Sequence, residues 1–278
     1  MQLPTSLTEM WNREPEWLDA LPRVVRELAA AWDLALEEPI DSPHSLVVPA
    51  GDIVLKVNAP SHLEADHEAD ALVRWDGRGA VRVVARADEH RAFLIERCRP
   101  GTRLWDSAAD EPAVVAELLL RLRAEVTEPH PFRLAADEAL RWAEEVRARH
   151  ALGGRPFEQS LVDLAVDVFG SADPGATALV NQDLHGGNIL SARREPWLVI
   201  DPKPLVGERD LDGVGPLRNA AWNGGAPAVR RWLDVLAETG LDRERVQAWG
   251  AAHALAWGWA DGEWSTESVD AARLIAAA

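Results

Sequence analysis

The most informative part of this 278-residue chain is the stretch Asn181-Gln-Asp-Leu-His-Gly-Gly-Asn188, followed by Trp197-Leu-Val-Ile-Asp201-Pro-Lys203. Its first half places Asp183 and Asn188 on a glycine-containing loop. Its second half is an apolar run that ends at Asp201. An Asp and an Asn at this spacing occur together by chance in many proteins, but a following hairpin that ends in a second Asp makes chance a poor explanation.

This pattern is typical of sites that transfer a phosphoryl group from a nucleotide. In kinase-type sites, a loop Asp accepts the proton of the attacking hydroxyl, and an Asn five residues later binds a metal ion. A second Asp, placed after the next hairpin, binds the metal that bridges the phosphates. The sequence therefore predicts Asp183 as the catalytic residue and Asn188 and Asp201 as metal ligands. It contains no GxxxxGK[ST] motif, so a P-loop mechanism is excluded.

Lys56 supports this interpretation from the N-terminal side. It stands in the apolar run Asp52-Ile-Val-Leu-Lys-Val57, as does the kinase lysine that contacts the α- and β-phosphates. That lysine pairs with a Glu on the next helix, for which Glu64 and Glu68 are candidates. We choose Glu68, because it lies near the middle of the predicted helix, whereas Glu64 fits the capping-box position after Ser61.

The periodicity divides the chain into a β-rich part and a helical part. Short runs of β-branched and aliphatic residues predict strands at 45–49, 52–57, 81–87 and 92–97, with a helix at 61–75 between the second and third and another in front at 17–32. Helical spacing then predicts helices at 114–126, 134–150 and 157–169, a hairpin at 188–200, and further helices from residue 226 onward. We expect an α+β, bilobal, protein-kinase-like fold with a nucleotide-binding lobe at 1–97 and a helical lobe at 98–278 that carries the catalytic loop and the acceptor site.

Charge and composition limit the classes of molecule that this protein is expected to bind. The net charge of −17 disfavours nucleic acid and anionic membranes and favours a cationic small molecule. The single cysteine, Cys98, excludes an internal disulfide, and no leader peptide or membrane-spanning stretch is apparent. We expect a cytoplasmic protein.

The chain resembles the aminoglycoside phosphotransferase superfamily, and most closely its streptomycin 6-phosphotransferase and hydroxyurea phosphotransferase group. The resemblance covers most of residues 45–219. It rests on Leu55-Lys-Val57, Glu68-Ala-Asp-Ala-Leu72, Trp75-Asp-Gly-Arg-Gly-Ala-Val81, Leu94-Ile-Glu-Arg97, Pro100-Gly-Thr102, Asp183-Leu-His-Gly-Gly-Asn-Ile-Leu190, Ile200-Asp-Pro-Lys203 and Leu205-Val-Gly-Glu208.

The resemblance implies an ATP-dependent kinase that phosphorylates a hydroxyl of streptomycin or a related aminoglycoside. It implies nucleotide contacts around a hinge at Glu96 to Cys98 and two Mg²⁺ ions held by Asn188 and Asp201. The alternative acceptors are hydroxyurea, an amino sugar or another metabolite. A kinase-like binding module without turnover is a further alternative. A protein kinase is disfavoured, because no Ala-Pro-Glu segment follows Asp201.

Two departures from the family pattern concern the loops. The superfamily usually has a His two residues before the catalytic Asp, where this chain has Asn181; an Asn can support the loop by hydrogen bonding, but the change leaves room for a weakened enzyme. The segment 41–51, which would cover the nucleotide, lacks a glycine-rich pattern. Its phosphate contacts are therefore expected from Ser42, His44, Ser45 and Leu46.

Carboxylates near the C-terminus are the candidates for binding a cationic acceptor. The four carboxylates that could be supplied to such an acceptor are Asp210, Asp212, Asp261 and Glu263. For each of them, a solvated acid at the start of a helix is an equally good interpretation. Trp249, Trp257, Trp259 and Trp264 are expected mostly in the core, and some of them could line an acceptor pocket.

Overall fold

The computed structural model describes residues 1–260 and 262–278, which form two compact units. The first unit comprises Met1–Thr102 and Leu190–Asp201, and the second comprises Arg103–Ile189 and Pro202–Ala278. The predicted domain boundary between residues 97 and 98 stays a prediction. The first unit itself ends at Thr102 and also takes in the segment from Leu190 to Asp201.

The first unit is built on a four-stranded antiparallel sheet in the order β1-β2-β4-β3. The strands are β1 (Ser45–Ala50), β2 (Ile53–Asn58), β3 (Val83–Ala87) and β4 (Ala92–Glu96), close to the four predicted ones. Helices α1 (Thr5–Met10) and α2 (Pro15–Ala31) precede them, and the buried face of α2 packs with apolar residues of β1, β2 and β4 in one core. Burial of this apolar surface is the main stabilising contribution to the unit.

Helix α3 (Glu68–Trp75) is shorter than predicted: it begins at Glu68, and the predicted start at Ser61 is wrong. Residues 63–65 form a separate 3₁₀ turn, and His67 has a positive φ of 63°, which interrupts any continuous helix. The capping box is also absent: among the described residues no side chain caps α3, and the Ser61 hydroxyl donates to Glu14 rather than accepting from a backbone N–H of the helix. Only Glu68 of the two candidate partners therefore lies on α3, and Glu64 lies on the preceding turn.

The predicted hairpin is present as β6 (Ile189–Ser191) and β7 (Trp197–Val199). Its turn is held to the sheet, because Arg194 Nε lies 3.0 Å from Glu96 Oε2 and Arg194 Nη2 donates to the Ala80 carbonyl at 2.9 Å. Val199 N also donates to the Gly79 carbonyl at 2.9 Å. These bonds fix the strand whose end presents Asp201.

The second unit is mainly helical. Its elements are α4 (Glu111–Leu122), α5 (Ala135–Leu152), α6 (Gln159–Gly170), β5 (Ala178–Asn181), β8 (Pro204–Gly207), α7 (Val214–Glu238), α8 (Arg243–Ala256), β9 (Trp259–Ala260), β10 (Glu263–Trp264) and α9 (Thr266–Ala276). Sequence periodicity missed the buried pair β5 and β8, because each strand has four residues and lacks alternation. Within the described residues, no helix is long and apolar enough to span a membrane.

Candidate active site

The first unit holds a buried ion cluster at the predicted nucleotide-binding residues. Lys56 Nζ lies 2.7 Å from Glu68 Oε1 and 2.7 Å from Asp201 Oδ1. Lys56 is 6% exposed and Glu68 1%. Although burial alone would lower the pKa of Lys56, the carboxylates of Asp201 and Glu68 raise it, so the ammonium group stays charged. The structure thus joins three predicted site residues that are up to 145 positions apart.

Ser45 and Asn58 extend this cluster. The Ser45 hydroxyl donates to Asn58 Oδ1 at 2.6 Å, and Asn58 Nδ2 donates to Glu68 Oε2 at 3.1 Å. Ser45 is buried and pairs with Asn58 across β1 and β2, and its hydroxyl is engaged inside the protein. A contact from Ser45 to a nucleotide stays a prediction. Asp201 has a positive φ of 51°, an uncommon backbone conformation for a non-glycine residue and one that clusters at functional sites.

Asn181 organises the catalytic loop in the second unit. It lies at the end of β5, opposite Pro204 of β8. Its Oδ1 accepts hydrogen bonds from Asp183 N at 3.1 Å and from Lys203 N at 3.0 Å. The side chain therefore ties the start of the loop to the adjacent strand, and it does so by the hydrogen bonding that the sequence suggested for an Asn in place of His.

Asp183 contacts a histidine of its own loop and an arginine of helix α7. Its Oδ1 accepts a hydrogen bond from Arg218 Nη2 at 2.7 Å and lies 3.7 Å from His185 Nε2. Burial alone would raise the pKa of Asp183, but the His185 ring and the positive charge of Arg218 lower it. The carboxylate is therefore ionised at neutral pH, as a proton acceptor must be. Arg218 was not among the sequence candidates.

Gly186 and Gly187 are required by Trp105, whose indole ring lies directly against the loop. A Cβ atom on Gly186 would lie 2.3 Å from Trp105 Cδ1, and one on Gly187 would lie 2.7 Å from Trp105 Cζ3. Trp105 also stacks on His185 with ring centroids 4.7 Å apart. Glu111 Oε1 accepts hydrogen bonds from the Trp105 indole and from Gly186 N, both at 3.0 Å. The two glycines of the motif are thus a steric condition for this packing.

The amide oxygen of Asn188 is the atom of this side chain that the predicted metal would bind. Its Nδ2 donates to the Asp183 carbonyl at 3.2 Å, which directs the amide nitrogen into the loop. Oδ1 then remains as a hard oxygen donor, the ligand type that Mg²⁺ prefers. Asp201 offers a carboxylate of the same character. The chemistry of both side chains therefore fits the predicted metal, and their role as ligands stays a prediction.

Asp210 and Asp212 have backbone partners in the structure. Both lie in the 3₁₀ segment Arg209–Gly213. Asp212 Oδ1 accepts from Asn181 N at 2.7 Å, and Asp210 Oδ1 accepts from Asp242 N at the start of α8 at 2.7 Å. Acceptor binding by either residue stays a prediction, but both carboxylates already connect elements of the second unit.

The contact between Asp212 and Asn181 N can be tested through the pH dependence of the free energy of unfolding. Burial raises the pKa of Asp212 to about 7, so the folded state holds the proton more tightly than the unfolded chain, whose ordinary value is 3.8. The resulting stabilisation is present below about pH 4 and is lost as the pH rises to about 7. We expect the free energy of unfolding to fall by about 2 kcal/mol between pH 5.5 and 8 through this group. Asp212→Asn should remove that fall in urea denaturation; an equal pH dependence in both proteins would contradict the assignment.

The remaining predicted site residues are Glu96, Cys98, Asp261 and Glu263. Glu96 ends β4 and binds Arg194 through its carboxylate. Cys98 is partly buried, and burial, followed by the charge of Glu96, raises its pKa to about 12, so the thiol is protonated at neutral pH. Their hinge contacts stay predictions. Glu263 is exposed on β10, and Asp261 lies outside the described residues.

A cleft of about 970 Å³ opens within the second unit, and Glu111 in its wall accepts a hydrogen bond from Gly186 N of the catalytic loop. Its walls include Trp105 and Trp222, which are 45% and 44% exposed, together with Glu111 and Asn219. Each indole reaches Asp183 through one residue: Trp105 stacks on His185, and Trp222 lies over Arg218 at 5.4 Å. No sequence candidate for acceptor binding lines this cleft, because its residues come from positions 104–112 and 216–232, which no motif marks.

Comparison with known sequences gives one consistent family. Residues 38–268 match the model of the family described as aminoglycoside/hydroxyurea antibiotic resistance kinase. The chain is 34% identical to streptomycin 6-kinase of Streptomyces glaucescens over 249 residues, covering 84% of this chain and 80% of that protein. It is 33% identical to hydroxyurea phosphotransferase of Kitasatospora aureofaciens over 274 residues, covering 90% and 77%.

Solved structures with the same fold are more distant in sequence. The choline kinase LicA from Streptococcus pneumoniae aligns with a TM-score of 0.64 at 11% identity, covering 92% of this chain and 99% of that one. The macrolide 2'-phosphotransferase MphH from Brachybacterium faecium aligns with a TM-score of 0.55 at 16% identity, covering 90% and 97%. These likenesses confirm the predicted α+β, protein-kinase-like fold.

Proposed function

Since the chain belongs to the aminoglycoside/hydroxyurea antibiotic resistance kinase family, we propose that it transfers the γ-phosphoryl group of ATP to a hydroxyl group of streptomycin or a related aminoglycoside. The observation that carries the proposal is the hydrogen-bonded Asp183, held ionised on a loop that contacts Trp105 and Glu111 in the wall of a large cleft. A cytoplasmic location and a cationic acceptor are part of the same proposal.

In the proposed reaction, Asp183 accepts the proton of the acceptor hydroxyl as its oxygen bonds to the γ-phosphorus. The bond between that phosphorus and the β,γ-bridging oxygen breaks, and ADP leaves. Lys56, kept charged by Glu68 and Asp201, binds the α- and β-phosphates. Asn188 and Asp201 would hold Mg²⁺, which neutralises charge on the phosphate oxygens when bound. The protein contributes mainly by positioning and by fixed charges.

The size of the cleft favours an aminoglycoside over hydroxyurea as acceptor. Sites for drug-sized ligands have volumes of roughly 300–1,000 Å³, and this cleft of about 970 Å³ is at the upper end. Hydroxyurea would fill a small fraction of it. The exposed indoles in the cleft suit the rings and cationic groups of such a ligand, and the carboxylates of Asp110 and Glu111 suit its cationic groups. Asp110 is paired with Arg231 at 2.7 Å, a contact that a cationic ligand could replace.

The test is a panel of acceptors with purified protein and magnesium-ATP. We expect the highest kcat/KM with streptomycin, and a phosphorylated product by mass spectrometry. A higher value with hydroxyurea or an amino sugar would show that the proposed acceptor class is wrong. ATP binding without phosphorylation of any acceptor would instead favour a binding module.

Trp222 should contribute to acceptor affinity. Loss of an aromatic or cation–π contact costs about 1 kcal/mol, so Trp222→Ala is expected to raise the acceptor Kd about fivefold. Trp222→Phe keeps a ring and should raise it less than twofold. Calorimetry without nucleotide measures this separately from catalysis. An unchanged Kd in the alanine variant would remove the Trp222 face of the cleft from the acceptor site.

A further inference from the structure

The guanidinium of Arg218 is enclosed by aromatic rings and is 4% exposed. It lies 4.7 Å from the ring centroid of Trp257 and 5.4 Å from that of Trp222. A cation with so little solvent is costly to bury unless a specific partner offsets the cost. Its carboxylate partner among the described residues is Asp183, with Nη2 to Oδ1 at 2.7 Å.

A neutral histidine sets the orientation of Arg218 from the other side. Burial and the charge of Arg218 lower the pKa of His253 well below its ordinary value, so the ring is uncharged. His253 Nε2 lies 3.2 Å from Gln182 Oε1, which can only accept, so the proton is on Nε2. Nδ1 then accepts from Arg218 Nη1 at 3.4 Å. The chain Gln182–His253–Arg218–Asp183 therefore begins and ends on adjacent residues of the catalytic loop.

The two carboxylate oxygens of Asp183 are consequently different. Oδ1 is occupied by Arg218. Among the described residues, Oδ2 has a contact only with Asn188 Nδ2 at 3.5 Å, the limit of a hydrogen bond. An acceptor hydroxyl needs a carboxylate oxygen with a free lone pair at hydrogen-bond distance. The geometry leaves Oδ2 for this role.

We propose that Arg218 is a positioning residue, which binds Oδ1 of Asp183 and thereby directs Oδ2 to the acceptor hydroxyl. This rests on the proposed function of Asp183 as proton acceptor. Arg218 itself transfers no proton. Trp257, Trp222 and His253 hold its guanidinium plane, so the orientation of the carboxylate is fixed before the acceptor binds.

The test uses Arg218→Ala and Arg218→Lys in the full-length protein. A misplaced reacting group costs about 10²-fold in rate, so we expect kcat of the alanine variant to fall about 10²-fold with KM for ATP within twofold of the wild type. Added methylguanidinium should raise kcat of the alanine variant at least tenfold and with saturation, because it can fill the space that the arginine side chain leaves beside the exposed Trp222. The lysine variant, which keeps the charge without the planar group, should lie between the two.

Arg245→Ala is the matched control. Arg245 also lies over an indole, 4.9 Å from Trp249, and pairs with a carboxylate, Glu208, at 2.6 Å. We expect its kcat to stay within about threefold of the wild type and to show no response to methylguanidinium. If both arginine variants respond alike, the rescue is unspecific and the proposal fails.

Further results with the Arg218 variants also support or overturn the proposed positioning role. A kcat of Arg218→Ala within threefold of the wild type overturns the proposal, as does a loss that methylguanidinium leaves unchanged in folded protein. If the alanine variant does not fold, a wild-type kcat in Arg218→Lys overturns it, and a roughly tenfold fall with unchanged KM for ATP supports it. An active Asp183→Asn would instead refute the role of Asp183 as proton acceptor, on which the proposal rests, and would leave the phosphotransferase activity itself standing.

Discussion

Asp183→Asn is expected to lower kcat by about 10³-fold, while KM for ATP stays within about twofold of the wild type. General-base catalysis contributes typically 10²–10⁴-fold, and an amide cannot accept the proton in its place. The asparagine keeps an oxygen that can accept from Arg218, so the local hydrogen bond to Oδ1 survives the change. The measurement is the rate of ADP release with and without acceptor, together with the mass of the product.

Asp163→Asn serves as the control for this change. Asp163 lies on α6, where it accepts from Gln159 on an exposed helix face. Its replacement should leave kcat within about twofold of the wild type. Should Asp183→Asn retain more than a tenth of the wild-type kcat, Asp183 would not be the proton acceptor, and the proposed mechanism would have to be abandoned.

Lys56→Met is expected to damage both stability and activity. Removing one partner of a buried ion pair typically costs 3–5 kcal/mol, because the other charge stays buried without compensation. Here Glu68, 1% exposed, would lose its ammonium partner. We expect the free energy of unfolding to fall by about 3 kcal/mol and kcat/KM for ATP to fall by at least 10²-fold, since the phosphates lose a fixed cation.

The double variant Lys56→Met/Glu68→Gln separates these two effects. Neutralising Glu68 should recover much of the stability, whereas ATP turnover should stay as low as in the single variant. Urea denaturation and steady-state kinetics on the same preparations measure both. Arg23→Met breaks the exposed Arg23–Glu27 pair on α2 and should change stability by less than about 1 kcal/mol. If activity returned together with stability, Lys56 would have a structural role only.

Much of the fold followed from local pattern. The four strands and helices α2, α5 and α6 lie within a few residues of their predicted positions, because each is long enough to show its periodicity. The predicted helix start at Ser61 was wrong because a capping-box sequence is a local signal, and Ser61 instead forms a tertiary contact with Glu14. Strands β5 and β8 were missed because four buried residues have no readable period.

The candidate site shows the same division. Lys56 and Glu68 could be paired in advance, because a lysine in an apolar strand and a glutamate on the following helix are a known combination. Arg218, His253 and Trp222 could not be found in advance. They lie on α7 and α8, outside every motif. Helix packing brings Arg218 to Asp183, and it brings His253 and Trp222 to Arg218. Acceptor binding by Asp210 and Asp212 stays a prediction, and the backbone N–H groups that each carboxylate binds come from residues distant in the sequence.

The hairpin between Asn188 and Asp201 was predictable, because a hairpin is set by the strand and turn residues that follow one another along the chain. The surroundings of Asp183 depend instead on packing between distant segments. That packing placed Arg218 on Oδ1 and laid Trp105 over Gly186 and Gly187. These contacts join residues that are distant along the chain, and burial gives them their strength, since charges interact more strongly away from water. Local pattern carries no information about which distant residues share that buried space.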